Sequence, residues 1–326
     1  MEFGLAGCDA GLAAPDAAAL PALIAEAEAL GIKSVWFNEE HFQRLLHTSG
    51  GRICPSPVIM AAAVAQATTT IRIGFSALLL PLHHPLRLAE EIATLDVISH
   101  GRIDFGVARG ANPRYCDAYE VSVDETRARF DDNLGKILSY WQEEESTLGG
   151  GRYNVLPKPA QSPHPPIYVA TYTPETGAAV ARDGHRIIQS GIQADWHLEL
   201  MLDAYRAAGG RVEDVPLGRF FHVAETDEQA RYEAERAVRD LSERLTAIGI
   251  AQRARTVREA DIEPEALYEQ LAVIGGVDTC IRKLERLRER YGIRRINMQS
   301  SFFGFMPLET TMKSLRLLSR DVMPAL

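Results

Sequence analysis

PSPVIMAAAVAQATTTIRIGFSALLLPLHHPLRLAEEIATLDVISHGRIDFGVARG, residues 55–110, decides the fold. Pro57 opens an alanine-rich run to Ala67 that predicts a helix, since proline is tolerated in the first turn and alanine has the highest helix propensity. Ile71–Leu80 (IRIGFSALLL) is almost wholly apolar, as a strand covered on both faces should be. Pro85 opens a second helix to about Ile98, with Leu88, Ile92 and Leu95 on one face, and Gly101 ends it. Arg102–Ala108 (RIDFGVA) reads as the next strand. Strands that alternate with helices form a parallel sheet with the helices outside it.

The same rhythm runs on both sides of this block. Before it, Phe3–Ala6 is a short apolar run, Pro15–Leu30 is helical, and Ile32–Phe37 is the second strand. After it, Asp124–Glu145 is a long amphipathic helix, and residues 146–166 carry Gly-Gly-Gly and five prolines, which is loop chemistry. Ile167–Ala170, Arg186–Ser190, Arg219–Ala224 and Arg294–Gln299 are the later strands. Helices are expected from Pro174, around His197–Ala208, over Asp227–Ala247, over Asp278–Tyr291 and over Leu308–Met323. Residues 249–275 read as irregular, with a helical piece near Glu265–Val273. About eight strand–helix units predict an α/β (β/α)8 TIM barrel, a single domain over 1–326 with insertions at about 146–166 and 249–275.

The chain has 326 residues, 46% of them hydrophobic and 24% charged, with a formal net charge of −9. Such a composition excludes global disorder, and the negative balance argues against a nucleic-acid partner. No apolar run reaches the length of a membrane span, and MEFGLAGCDAG does not read as a secretory leader. Cys8, Cys54, Cys116 and Cys280 are scattered without a CxxC pair, so neither a zinc site nor a disulfide framework is expected. A cytoplasmic location fits. Arg253–Arg258 reads as a solvated loop, Trp36, Trp141 and Trp196 as packing residues, and the cysteines as inert; His222 could face in or out.

In such a barrel the active site lies at the carboxyl ends of the strands. Strand two exits into Asn38-Glu39-Glu40-His41-Phe42, where two carboxylates and a histidine could form an acid/base cluster or tie down loops. Strand three exits into His83-His84-Pro85; adjacent histidines of an extended chain cannot both face the axis, which makes a metal site from this pair poor. Strand four exits into Arg109-Gly110-Ala111, a guanidinium fork beside a glycine that could hold a phosphate or sit as a surface arginine at a turn. Strand five leads into Thr171-Tyr172-Thr173-Pro174-Glu175-Thr176, a hydroxyl cap and helix start whose amides favour an anion. With Arg109 it could form a two-sided phosphate clamp.

These residues resemble the bacterial luciferase-like flavin-dependent monooxygenases over nearly the whole chain. Residues 55–110 carry the likeness most strongly, supported by VWFNEEHF, IYVATYTPETGAAVARDG, HVAETDEQA and SFFGFMPLETTMKSLRLLSRDVMP. The resemblance implies a (β/α)8 barrel using reduced flavin mononucleotide (FMN) and O2, with a deazaflavin in some relatives. It implies that Arg109, Gly110 and Ala111 meet the phosphate, that Tyr172, Thr173 and Thr176 form the hydroxyl-bearing turn against it, and that Ser76-Ala77 is a cis pair beside the flavin ring. The luciferase pattern Glu-His-His-Phe is here Glu39-Glu40-His41-Phe42, so Glu40 stands where the histidine tied to base catalysis would be, and His41 matches the second histidine. The reactive cysteine before the phosphate arginine is Ala108.

The function this implies is an FMN-dependent monooxygenase fed by a separate flavin reductase, acting on a small organic substrate. Baeyer–Villiger and hydroxylating chemistry both stay open. His41, with Glu40 or His84, would manage protons, and the two insertions are candidate lids. A homodimer is implied, with no metal, nucleic acid or membrane. The alternatives are a deazaflavin-dependent oxidoreductase on the same barrel, a non-catalytic flavin-binding protein and, further off, a metal-dependent hydrolase.

Overall fold

The structure is a computed structural model, and it describes residues 1–7, 18–42 and 56–326. Cys8, Cys54 and the start of the helix expected from Pro15 lie outside the described residues.

Strands β1 (Glu2–Ala6), β2 (Ser34–Phe37) and β3 (Arg72–Phe75) follow one another in space and in sequence, separated by helices α1 (Leu20–Ala29) and α2 (Pro57–Ala67). All their pairings are parallel, with Gly4 opposite Ser34 and Ser34 opposite Arg72. The run expected as one strand over Ile71–Leu80 is instead broken: β3 ends at Phe75, the Ser76–Ala77 peptide is cis, and β4 is only Leu78–Leu79 before a turn of 3₁₀ helix over Leu80–Leu82. Apolar content fixed the burial of this segment but carried no information about the break. Both halves pair with β5 (Ile103–Ala108), Ile73 opposite Ile103 and Leu78 opposite Val107.

Helix α3 (Pro85–Ile98) joins these two strands, and the short α4 (Pro113–Ala118) and long α5 (Thr126–Gln142) follow β5. The sheet continues through β8 (Ile167–Ala170) and β9 (Arg186–Ile188), joined by α6 (Pro174–Arg182). Helix α7 (Asp195–Ala207) leads to β10 (Pro216–Val223), and α8 (Asp227–Ala247) follows. Then come β11 (Ala272–Gly275), α9 (Val277–Tyr291), β12 (Arg295–Gln299) and α10 (Leu308–Leu317).

Among the described residues the sheet is a curled parallel layer of nine strands in the order β11-β10-β12-β1-β2-β3-β5-β8-β9, with β4 beside β5. A parallel bridge, Gln189 opposite Leu217, links the end of β9 to β10. There the Gln189 amide donates to the Pro216 carbonyl at 3.1 Å and the Gly218 amide to the Gln189 carbonyl at 2.8 Å.

Alternation sorts the side chains into two layers. Val35, Phe37, Val169 and Ile187 join the large core beneath the helices, with Ile24, Val64, Leu88 and Ile92. Their neighbours Trp36, Tyr168 and Ile188 form a separate cluster with Ala6, where Trp36 and Tyr168 meet edge to face at 5.0 Å. Gly106 allows a close approach of two strands: a Cβ there would fall 1.6 Å from the Phe75 carbonyl oxygen.

Two expectations need correction. Residues 146–166 are not loop throughout, because β6 (Ser146–Leu148) and β7 (Gly151–Tyr153) form an antiparallel hairpin. Its turn residues Gly149 and Gly150 both have positive φ, the backbone a tight hairpin needs. Residues 249–275 end in strand β11 rather than in irregular chain, and a four-residue apolar run is too short for periodicity to separate from helix. No described helix is long and apolar enough to cross a membrane.

Candidate active site

Parallel pairing brings the carboxyl ends of all the sheet strands to one side. Residues 38–41, leaving β2, divide by alternation. Asn38 accepts a bond from the Ser76 hydroxyl at 2.8 Å, beside the cis peptide. Glu40 lies within electrostatic reach of Tyr115 and Tyr172. Glu39 and His41 instead meet each other.

Glu39 is the hub of a buried cluster. His41 Nε2 lies 2.9 Å from its Oε1, His83 Nε2 lies 2.9 Å from both of its oxygens, and the Leu79 amide donates to Oε2 at 2.7 Å. A carboxylate only accepts, so both imidazoles donate from Nε2. Burial alone would raise the Glu39 carboxyl; the bonds from His41 and His83, the pull of the His83 ring and the Leu79 amide outweigh it and hold the pKa at about 2. Asn133 of α5 fixes the His83 loop by donating to the Leu80 and His83 carbonyls at 2.8 and 3.1 Å. On its other side, His41 Nδ1 lies 3.0 Å from the Tyr119 hydroxyl, and its ring packs edge-on against Tyr115 at 5.4 Å.

His41 sits inside the cluster, but the histidine that joins it is His83. His84 is exposed at the start of α3 and outside the cluster. The sequence signal was the His83-His84 pair itself, of which only one can face inward. Glu39 stood beside the expected Glu40, and nothing in the pattern ranked one above the other. Tyr119, at the end of α4, carried no sequence signal.

The expected anion-binding residues come from paired strands. Val107 of β5 lies opposite Val169 of β8, so Arg109 and Thr171–Thr176 leave the same side of adjacent strands. Arg109 is exposed and, among the described residues, makes no ion pair. Gly110 follows with φ +59°, and Ala111 precedes Asn112, whose side chain accepts the Arg114 amide and caps α4. Thr173 is the N-cap of α6, yet its hydroxyl makes no cap bond; it donates to the Thr176 hydroxyl at 2.7 Å. Tyr172 beside it is 45% exposed. The first amides of α6 therefore lack a side-chain cap, the arrangement in which a helix N-terminus accepts an anion.

Fold and site together define a parallel α/β protein that gathers a carboxylate–imidazole cluster, an arginine without an ion pair among the described residues and an uncapped helix start at one end of its strands. The chain belongs to the luciferase-like monooxygenase family, whose pattern it matches over residues 3–295. It is 28% identical over 219 residues to the oxygenase component of flavin-dependent trigonelline monooxygenase from Acinetobacter baylyi, covering 63% of this chain and 58% of that protein. It is 25% identical over 296 residues to limonene 1,2-monooxygenase from Rhodococcus erythropolis, covering 83% and 71%. Several of the curated relatives extend well beyond the match, which spans about half their length. Among solved structures, monooxygenase RslO1 from Streptomyces bottropensis superposes with a TM-score of 0.80 at 30% identity over 99% of both chains.

Proposed function

We propose that this protein is the oxygenase component of a two-component flavin-dependent monooxygenase. It takes reduced FMN from a separate reductase and uses O2 to oxygenate a small organic substrate such as an aldehyde or ketone. The observation that carries this reading is the placement of Arg109 and the uncapped start of α6 at the ends of paired strands β5 and β8. A guanidinium with no competing carboxylate among the described residues and a helix N-terminus suit a dianionic phosphate, so the donor set fits FMN. Gly110, Ala111, Tyr172, Thr173 and Thr176 would complete the phosphate cradle, and Ser76-Ala77 would lie against the ring. The same preference separates FMN from a flavin without phosphate.

Bound reduced flavin would supply the electrons and activate O2. The protein's own residues then have three tasks. Arg109 and α6 anchor the cofactor. Glu40, within electrostatic reach of Tyr115 and Tyr172, manages protons together with His41. The insertions at 146–166 and 249–275 exclude water. We extend the reading to closure of the sheet into a single (β/α)8 domain over 1–326 through the Gln189–Leu217 bridge, to a homodimer, and to a cytoplasmic setting.

Titration of tryptophan emission with FMN, riboflavin and a deazaflavin tests the cofactor. FMN should bind most tightly, and Arg109→Ala should weaken FMN about tenfold or more while leaving riboflavin unchanged. An Arg109→Ala protein that binds FMN as tightly as the wild type refutes the phosphate assignment.

A further inference from the structure

His41 has no ring nitrogen left for a substrate. Nε2 is held by Glu39 at 2.9 Å and Nδ1 by the Tyr119 hydroxyl at 3.0 Å, and the residue is 7% exposed. Glu39 is 6% exposed, whereas Tyr119 is 43% exposed. Tyr119 is therefore the member of this chain of hydrogen bonds that meets the outside. With the His41 ring neutral, the proton on Nε2 leaves Nδ1 as the acceptor, and the Tyr119 hydroxyl donates to it. The order Tyr119 Oη–H, His41 Nδ1, His41 Nε2–H, Glu39 carboxylate has the logic of a hydroxyl–imidazole–carboxylate triad, with tyrosine in the place of serine.

The surroundings indicate what such a relay would act on. Phe42, 53% exposed, packs edge-on against Tyr115 at 5.4 Å, and Tyr115 in turn packs against His41. Tyr119 and Phe42 thus form an exposed aromatic rim beside a proton acceptor. A planar, hydroxyl-bearing molecule can lie against such a rim and place its oxygen at Tyr119.

The geometry points to Tyr119, His41 and Glu39 as a proton relay that binds and deprotonates a phenolic or enolic hydroxyl. The O–H bond of the substrate breaks as its proton moves to Tyr119 Oη, and the original Tyr119 proton moves to His41 Nδ1. The products are a bound phenolate or enolate and an imidazolium whose Nε2–H stays on the Glu39 carboxylate. No oxidant or reductant enters this step. His83 holds Glu39 from the other side and acts as a positioning residue. Other charged groups within electrostatic reach of Tyr115 are Glu40, Arg114 and Arg244, the last of which stacks over the Phe303 ring at 5.1 Å. The relay depends on the proposed oxygenase reading only for the fate of the deprotonated substrate, since an electron-rich phenolate carbon is what an oxygenase of this kind would attack.

The test needs neither flavin nor turnover. 4-Nitrophenol is titrated with pH in the presence of saturating protein, and its phenolate absorbance is followed. The wild type should lower the apparent pKa of the bound probe by about one unit relative to free probe. Tyr119→Phe should still bind the probe but return its titration to that of free probe. The exposed ring makes this variant a mild one for folding, and its thermal melt should match the wild type. The ¹⁵N shifts of His41 should show the Nε2–H tautomer in both proteins. A wild type that does not bind the probe or leaves its titration unmoved overturns the relay, as does an equal shift in Tyr119→Phe. FMN binding measured on the same samples separates the two proposals: loss of the phenol effect with FMN binding intact sinks only the relay, and the reverse sinks only the oxygenase reading.

Discussion

His83 sets its Nε2 2.9 Å from both carboxylate oxygens of Glu39, and so pins the loop after β4 to the loop after β2. The Glu39 side chain is 3% accessible, and two imidazole donors and one amide converge on it. Glu39→Gln keeps the shape but replaces an acceptor by an NH2 group that faces a donor. It should cost about 3 kcal/mol, read from urea unfolding. The pH dependence has a definite sign. The folded-state pKa is depressed from 4.5 to about 2, so the contribution is complete above the unfolded value and is lost as pH falls from 4.5 toward 2. The stability difference between wild type and Glu39→Gln should therefore shrink as pH falls across that window.

Arg102 is the second buried charge that the fold depends on. It is 7% exposed and donates to the carbonyls of Ser99, Ile71, Ala65 and Thr68 and to the Thr68 hydroxyl. These include the last carbonyls of α2 and the chain entering β3, so one guanidinium closes a helix and positions a strand. Arg102→Met fills the space but leaves buried carbonyls without donors. It should destabilise by about 3–5 kcal/mol in chemical denaturation, far beyond a surface arginine.

Some of this was legible in the sequence and some was not. The helices over Pro57–Ala67, Pro85–Ile98 and Asp227–Ala247 match the expected boundaries, because proline or an acidic first turn opens each. The alternation of strands and helices gave the parallel sheet. Residue pairing across loops is a different matter. Arg102 read as the first residue of a strand, and its acceptors on α2 and at Thr68 lie more than thirty positions away. His83 and His84 are chemically identical in the sequence; only the turn over Leu80–Leu82 decides which of them reaches Glu39. The placement of Arg109 and Thr173 at the strand ends was legible because each stands just past an evident strand. Tyr119 was not, since a tyrosine closing a six-residue helix has no distinguishing pattern.

Gly106 marks where β5 and β3 come too close for any side chain. A Cβ would sit 1.6 Å from the Phe75 carbonyl oxygen, and backbone cannot move aside as a side-chain tip can. Gly106→Ala must therefore part the strands next to the Ser76–Ala77 peptide. The expected loss is about 3 kcal/mol or more, in the upper range for a single substitution. Denaturant midpoints check it, and a variant as stable as the wild type would mean that this strand contact relaxes freely.

Thr173→Asp separates cofactor binding from stability in a single residue. Thr173 is an exposed N-cap whose hydroxyl serves Thr176 rather than the amides of α6. An aspartate there can accept from those amides and places negative charge at the positive end of the helix, which should stabilise the protein by about 1 kcal/mol. The same carboxylate would occupy and repel the position proposed for the phosphate. The variant should melt at or above the wild-type temperature, bind FMN about tenfold more weakly or worse, and bind riboflavin as the wild type does. Ordinary damage to the fold would lower all three readings together. Unchanged FMN affinity in a stabilised protein would place the phosphate elsewhere on the strand ends.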